Sequence, residues 1–123
     1  MMTDKPIQIR PVEIRCNVER NRLNVRFENG EHFELSAELL RVESPSAEVQ
    51  GHGIGQKTTP AGKARVTISA LEPVGNYAIR ISFSDGHDTG LFSWDILYDY
   101  GQRQQQLLAD YVERLAAMGG SRH

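Results

Sequence analysis

Phe27-Glu28-Asn29-Gly30, followed by Ser36-Ala37-Glu38-Leu39-Leu40, recurs as Phe83-Ser84-Asp85-Gly86, followed by Ser93-Trp94-Asp95-Ile96-Leu97. Each copy reads as a strand, a turn, a second strand and a short helix. Asn-Gly and Asp-Gly between apolar runs predict two-residue hairpin loops, because Asn, Asp and Gly best tolerate the positive φ angles such loops need. Ser36 and Ser93 predict helix starts, since a serine hydroxyl accepts a backbone N–H that the first turn leaves unpaired, with Glu38 and Asp95 at the positive end of the dipole. The result is a β-β-α unit written twice. The duplication speaks to fold and names no reaction.

Outward from the first copy, Ile7/Ile9 and Val12/Ile14/Cys16 alternate around Pro11, which suits an edge strand or one that starts after the proline. That strand pairs with Leu23–Phe27 across the polar Glu19-Arg20-Asn21 turn. Val42 to Arg65 is rich in Gly, Ser, Thr and Pro and reads as a long irregular loop, of the kind that binds or moves. Val66–Leu71 resumes a strand, Val74-Gly75-Asn76 turns the chain, and Tyr77/Ile79/Ile81/Phe83 share one face of the strand expected at the sheet centre. From Gly101 a new helical segment places Leu107, Leu108, Tyr111, Val112 and Leu115 on one stripe. Gly119-Gly120 ends it, and Ser121 to His123 are expected to fray.

The expected fold is therefore α+β: two β-β-α-like units forming a small, mainly antiparallel sheet with the C-terminal helix packed on it. One domain over 1–123 is expected, with its core at about 7–118. A chain of 123 residues with 39% hydrophobic content can bury a core without disulfides or metal. Its formal net charge of −2 lacks the basic excess of a general nucleic-acid binder. The lone Cys16 forms no internal disulfide, and Met1-Met2-Thr3-Asp4-Lys5 lacks the apolar run of a signal peptide. No stretch approaches the roughly 20 apolar residues of a membrane span. A cytoplasmic protein, bound neither to membrane nor to nucleic acid, is the expectation.

The densest polar cluster is Asp85-Gly86-His87-Asp88-Thr89-Gly90. His87 between two acids suits a metal ligand or a proton donor. Turn chemistry offers a plainer account, with Asp85 and Gly86 making the bend and His87 and Asp88 facing water or bonding the following loop. His32-Phe33-Glu34 matches the His-x-acid half of a non-haem iron triad, but strand alternation alone puts both on one face, and the barrel that carries such triads does not fit this length. Gly51-His52-Gly53-Ile54-Gly55-Gln56-Lys57-Thr58 fails the P-loop pattern, because Thr58-Thr59-Pro60-Ala61-Gly62 cannot open a helix. It fails the dinucleotide pattern too, with Gln56 in place of the last glycine. His52 between two glycines can meet His87 if the loop folds over the second unit. Cys16 reads as a small buried hydrophobe without an activating partner, and Trp94 as a core residue rather than a partner anchor.

Leu40-Arg41-Val42-Glu43-Ser44-Pro45-Ser46-Ala47-Glu48-Val49-Gln50-Gly51-His52-Gly53, Val74-Gly75-Asn76-Tyr77-Ala78-Ile79 and Phe83 through Trp94 resemble the gamma-butyrobetaine hydroxylase-like N-terminal domain family over roughly Pro11 to Tyr100. In the oxygenases that give this family its name, the domain precedes the catalytic barrel and holds a structural zinc. The ligands there are a cysteine cluster after the first Leu-Arg and the histidine of the second Asp-x-His. The histidine matches His87; the cysteines fall at about Ser44, Ser46 and Glu48 or Val49, and neutral serine is a poor zinc ligand. The resemblance thus implies a histidine without its thiolates, either binding nothing or joining His52 in a rebuilt site. A similar domain attached to iron–sulfur P-loop proteins of chloroplasts implies a role near cluster assembly, although one cysteine cannot hold a cluster unless a dimer or partner supplies the other ligands.

The leading expectation is a non-enzymatic accessory or protein-interaction module for an unidentified protein partner, possible as a homo-oligomer. Its surface is the Val49 to Ala64 loop with the Asp85 to Gly90 turn. The rival is a zinc- or iron-binding protein using His87 and His52, with Asp85 or Asp88 completing the ligands.

Overall fold

The two repeated hairpins close in the same way. Phe27 N–H bonds the Glu31 carbonyl at 2.8 Å and Gly30 N–H bonds the Phe27 carbonyl at 3.0 Å; Phe83 N–H bonds the His87 carbonyl at 2.9 Å and Gly86 N–H bonds the Phe83 carbonyl at 3.0 Å. Three residues thus lie in each loop, not the expected two, and only the glycines take positive φ, Gly30 at 89° and Gly86 at 93°. A turn followed by a left-handed glycine is the three-residue hairpin solution. Asn29 and Asp85 contribute side chains instead of backbone angles: Asn29 Oδ1 accepts from Glu31 N–H at 3.0 Å, and Asp85 Oδ1 from His87 N–H at 3.1 Å. Both are local side-chain turns of the kind Asx residues favour.

The computed structural model describes residues 9–51 and 57–123. Strands β1 (Pro11–Cys16), β2 (Arg22–Phe27) and β3 (His32–Ser36) lead into α1 (Ala37–Val42) and the short α2 (Ala47–Gln50). Strands β4 (Ile68–Val74), β5 (Ala78–Phe83) and β6 (Gly90–Ser93) lead into α3 (Trp94–Ala117). The α+β class and the paired units hold, while the strands form two three-stranded antiparallel sheets, ordered β1-β2-β3 and β4-β5-β6, where one sheet was expected. The sheets meet where Ile68 N–H bonds the Arg20 carbonyl at 2.8 Å and Arg20 Nε bonds the Ile68 carbonyl at 2.6 Å. β5 sits at the centre of its sheet, as expected, with Ile79, Ile81 and Phe83 buried; Tyr77 precedes the strand and is exposed.

One apolar cluster joins the layers: Leu23, Val25 and Phe27 from β2, Leu39 and Leu40 from α1, Ile81 and Phe83 from β5, and Phe92 and Leu97 from the second unit. Each such side chain contributes about 1.5–3 kcal/mol on burial. Ser36 and Ser93 cap as expected, their hydroxyls accepting from Leu39 N–H at 3.0 Å and Ile96 N–H at 3.2 Å.

No new helix starts at Gly101. α3 runs through it and kinks at Arg103, whose φ and ψ are −110° and 15°. Gly101 is needed for packing, since a Cβ there would lie 2.3 Å from the Phe33 ring. That approach seats Tyr98 edge-on against Phe27 and Phe33, with centroids 5.1 and 5.4 Å away. Gln104 then ties the helix to β3, accepting from Ser36 N–H at 3.0 Å and donating to the Glu34 carbonyl at 2.9 Å. Leu107, Tyr111 and Leu115 are buried, whereas Val112 is exposed, because the stripe that meets the protein is narrower than the apolar pattern.

The expected fraying of Ser121 to His123 is also corrected. Gly62 N–H bonds the Ser121 carbonyl at 2.9 Å, Ala64 N–H bonds the Arg122 carbonyl at 3.0 Å, and Arg122 forks onto Glu38.

Candidate functional site

The site forms where the second hairpin meets the segment between α1 and α2. His87 follows the left-handed Gly86, and its side chain is only 3% exposed. Nδ1 lies 3.1 Å from Glu48 Oε1 and Nε2 lies 2.9 Å from Ser44 Oγ. A carboxylate only accepts, so the network assigns the proton to Nδ1 and leaves Nε2 to accept from the Ser44 hydroxyl. Ser44 Oγ in turn accepts from Ser46 N–H at 3.2 Å. Ser46 caps α2, accepting from Glu48 N–H at 3.1 Å, and its hydroxyl lies 2.6 Å from that of Thr89. Gly90 makes room for this: a Cβ there would stand 2.4 Å from Ser44 Oγ.

Asp85 faces a different set of partners. Its Oδ2 accepts from Lys63 Nζ at 2.6 Å and from Arg41 Nε at 2.8 Å, and Oδ1 from His87 N–H. Burial pushes the carboxyl pKa up, but Lys63, the His87 N–H and Arg41 outweigh it and hold the value at about 2. Burial and the nearby Arg41 guanidinium lower the His87 pKa below 6.5, against the pull of Glu48 in the other direction. The resident state is therefore a neutral imidazole beside a carboxylate already neutralised by two cations. Behind it, Glu43 (side chain 4% exposed) accepts from Lys57 Nζ at 2.7 Å and Arg114 Nη2 at 2.9 Å, and Tyr100 donates to the Glu43 carbonyl at 2.6 Å.

Of the residues expected at a site, the fold brings His87 and Asp85 together through a backbone-to-carboxylate bond. Asp88 is exposed, and its side chain joins none of these contacts. His52, with the Gly53–Gln56 part of the glycine run, lies outside the described residues. The expectation that His87 faces water or the following loop is corrected, because the ring is buried against the preceding Glu43–Gln50 segment. Ser44 and Glu48 bond its ring, and Ser46 bonds Ser44; the family resemblance implied cysteine positions at about Ser44, Ser46 and Glu48 or Val49. Arg41 and Lys63 escaped the sequence reading of the site; the family resemblance at those positions was the one signal pointing to the segment over His87.

The donor set does not fit a structural zinc. One imidazole, two neutral hydroxyls and one carboxylate replace the thiolates that such a site uses. Among the described residues no group of three or more His, Cys, Asp or Glu is placed to hold a metal ion. Cys16 is half-buried, and burial pushes its thiol pKa up, away from the thiolate that a nucleophile needs. Trp94 packs against the core and donates to the Asn76 carbonyl at 2.7 Å. No described helix is long and apolar enough to cross a membrane.

None of the curated proteins matches the chain. Solved structures do. One NMR solution structure shares 45% identity at a TM-score of 0.81, covering 94% of this chain and 90% of that one. A second shares 44% at 0.82, covering 99% and 91%. A crystal structure of a protein of unknown function in the DUF971 family, from Acidithiobacillus ferrooxidans ATCC 23270, shares 36% at 0.60, covering 72% and 88%. The family model described as gamma-butyrobetaine hydroxylase-like, N-terminal, matches residues 14–98, from β1 through the His87 hairpin into α3. With most of its length under that match, the chain belongs to the gamma-butyrobetaine hydroxylase-like N-terminal family, whose function is not established.

Proposed function

We propose that this chain is a non-enzymatic protein-interaction module in which the frame of a metal site serves as a hydrogen-bonded clasp. One observation carries the reading: both ring nitrogens of His87 are engaged, by Ser44 and Glu48, and the ring is buried. A general base or ligand needs a nitrogen free for substrate or metal; here both serve to fix the 44–50 segment onto the second hairpin. The clasp holds the base of the Val49 to Ala64 loop, where Thr58 N–H bonds the Val49 carbonyl at 2.7 Å, beside the exposed Asp88 and Thr89. This loop and turn together form the surface offered to a protein partner. Service to iron–sulfur or other metal-dependent enzymes is the context the family resemblance suggests.

The test is quantitative affinity capture with wild type and Asp88→Arg, a charge reversal on the exposed turn that leaves the clasp intact. A stoichiometric partner held by wild type and lost by the variant supports the module. Identical capture by both chains overturns the surface. The rival, zinc or iron held by His87 and His52 with Asp85 or Asp88, is decided by elemental analysis of chelator-free protein. Near-stoichiometric metal that disappears in His87→Ala would replace the clasp with a metal centre.

A further inference from the structure

Glu38 lies in α1, where the neighbouring Ala37, Leu39 and Leu40 are fully buried. Its own side chain is 8% exposed, and both carboxylate oxygens are taken by Arg122, Nη2 at 2.7 Å and Nε at 2.8 Å. The two parallel bonds form the fork that guanidinium makes and ammonium cannot. Beside it, the Gly62 and Ala64 N–H groups bond the Ser121 and Arg122 carbonyls. In the structure these bonds and the fork are all made by the chain's own Ser121 and Arg122. Ser121, Arg122 and His123 are all exposed, and they follow Gly119, at φ +72°, and Gly120, whose N–H bonds the Leu115 carbonyl at 2.9 Å. Arg122 also stands at the junction of two openings. One is a polar cavity of about 240 Å³ lined by Asn21, Ser36, Glu38 and Val66. The other is an apolar groove of about 480 Å³ along α3 at Leu108, Val112 and Ala116, which the tail leaves uncovered.

We propose that Glu38, Gly62 and Ala64 form a receptor for an extended, arginine-bearing segment of a partner protein, occupied in the free chain by its own Ser121–His123. The partner's arginine takes the Glu38 fork, its backbone carbonyls take the Gly62 and Ala64 N–H groups, and an apolar residue beside the arginine fills the Leu108–Val112 groove. Charge sets the preference, since a nine-tenths-buried carboxylate requires a cation and the fork selects guanidinium. The tethered tail acts at an effective concentration in the millimolar range, so only a segment that adds the groove contact displaces it. This inference stands apart from the clasp at His87.

The test uses a chain ending at Gly120, probed by amide NMR with the peptide acetyl-Gly-Gly-Ser-Arg-His. Saturable shifts at Glu38, Gly62 and Ala64 are expected, at least tenfold weaker with lysine in the peptide and at least tenfold weaker in the intact chain. No saturable shift up to about 10 mM peptide overturns the receptor. Should truncation unfold the chain, full-length Arg122→Ala replaces it: N-ethylguanidinium then raises the Tm while n-butylammonium does not, and equal response to the two cations overturns the proposal. A dimer formed by the intact chain and lost on truncation would put a second copy in the receptor and overturn the assignment to a partner.

Discussion

Glu31 and His87 occupy the same place in the two halves of the molecule. Each follows a left-handed glycine, each offers its carbonyl to the phenylalanine that opens the loop, and each donates its N–H to an Asx side chain two residues earlier. Glu31 is exposed, whereas His87 is buried under Ser44 and Glu48. Turn chemistry therefore builds both hairpins, and what packs over the second one makes its histidine different. The repeat builds the fold and carries His87, and the Glu43–Gln50 segment, which lies outside the repeat, makes the site around it.

That separation can be broken or sharpened by matched substitutions. The largest contrast is expected between His87→Ala and Glu31→Ala. Removing the buried ring leaves Ser44 and Glu48 without their partner and should cost about 2–3 kcal/mol, while Glu31→Ala should stay within about 0.5 kcal/mol. Urea unfolding measures both, and equal losses would mean that the second hairpin carries no special packing. Next come Gly86→Val and Gly30→Val, each expected to lose about 1–3 kcal/mol because a β-branched residue resists positive φ. Here the two halves should agree; a neutral result at either glycine contradicts the loop geometry. Smaller again, Ser36→Ala and Ser93→Ala should each cost about 1 kcal/mol through a lost helix cap, read as a drop in Tm.

The mildest effect is acid titration. The folded pKa of His87 lies below 6.5, so the unfolded chain takes up the proton first. The stability from the neutral ring is complete above pH 6.5 and declines as pH falls from there towards the folded value. Asp85 adds a second decline, starting below its ordinary 3.8 and running towards about 2, tempered by solvent around a partly exposed carboxylate. Unfolding free energy followed against pH should lose its upper step in His87→Ala; persistence of that step would assign it to another group.

Both hairpins, both serine caps and the central place of β5 were legible because they are local chemistry. Asn-Gly, Asp-Gly and Ser with an acid two residues on act over a few residues, and the apolar alternation of Ile79, Ile81 and Phe83 reports burial directly. The loop length was misjudged because the same dipeptides serve two- and three-residue hairpins, and only the pairing of Phe with the residue after Gly distinguishes them. Gly101 looked like a break because glycine is a poor helix former; its value lies in the approach of Phe33, which is distant in sequence. The site was half legible. Asp85 and His87 sit in one turn, but Ser44 lies 43 residues from His87, Glu48 lies 39 away, and Arg122 lies 84 from Glu38. No periodicity encodes such pairs.

The clasp at His87 is tested most directly by long-range 1H–15N NMR of the imidazole rings, recorded from about pH 8 to about pH 5 with and without one equivalent of zinc. The account predicts a neutral His87 ring protonated at Nδ1, titrating below the ordinary histidine value and unmoved by zinc. A ring nitrogen that shifts stoichiometrically on zinc addition, in an otherwise folded chain, would contradict it.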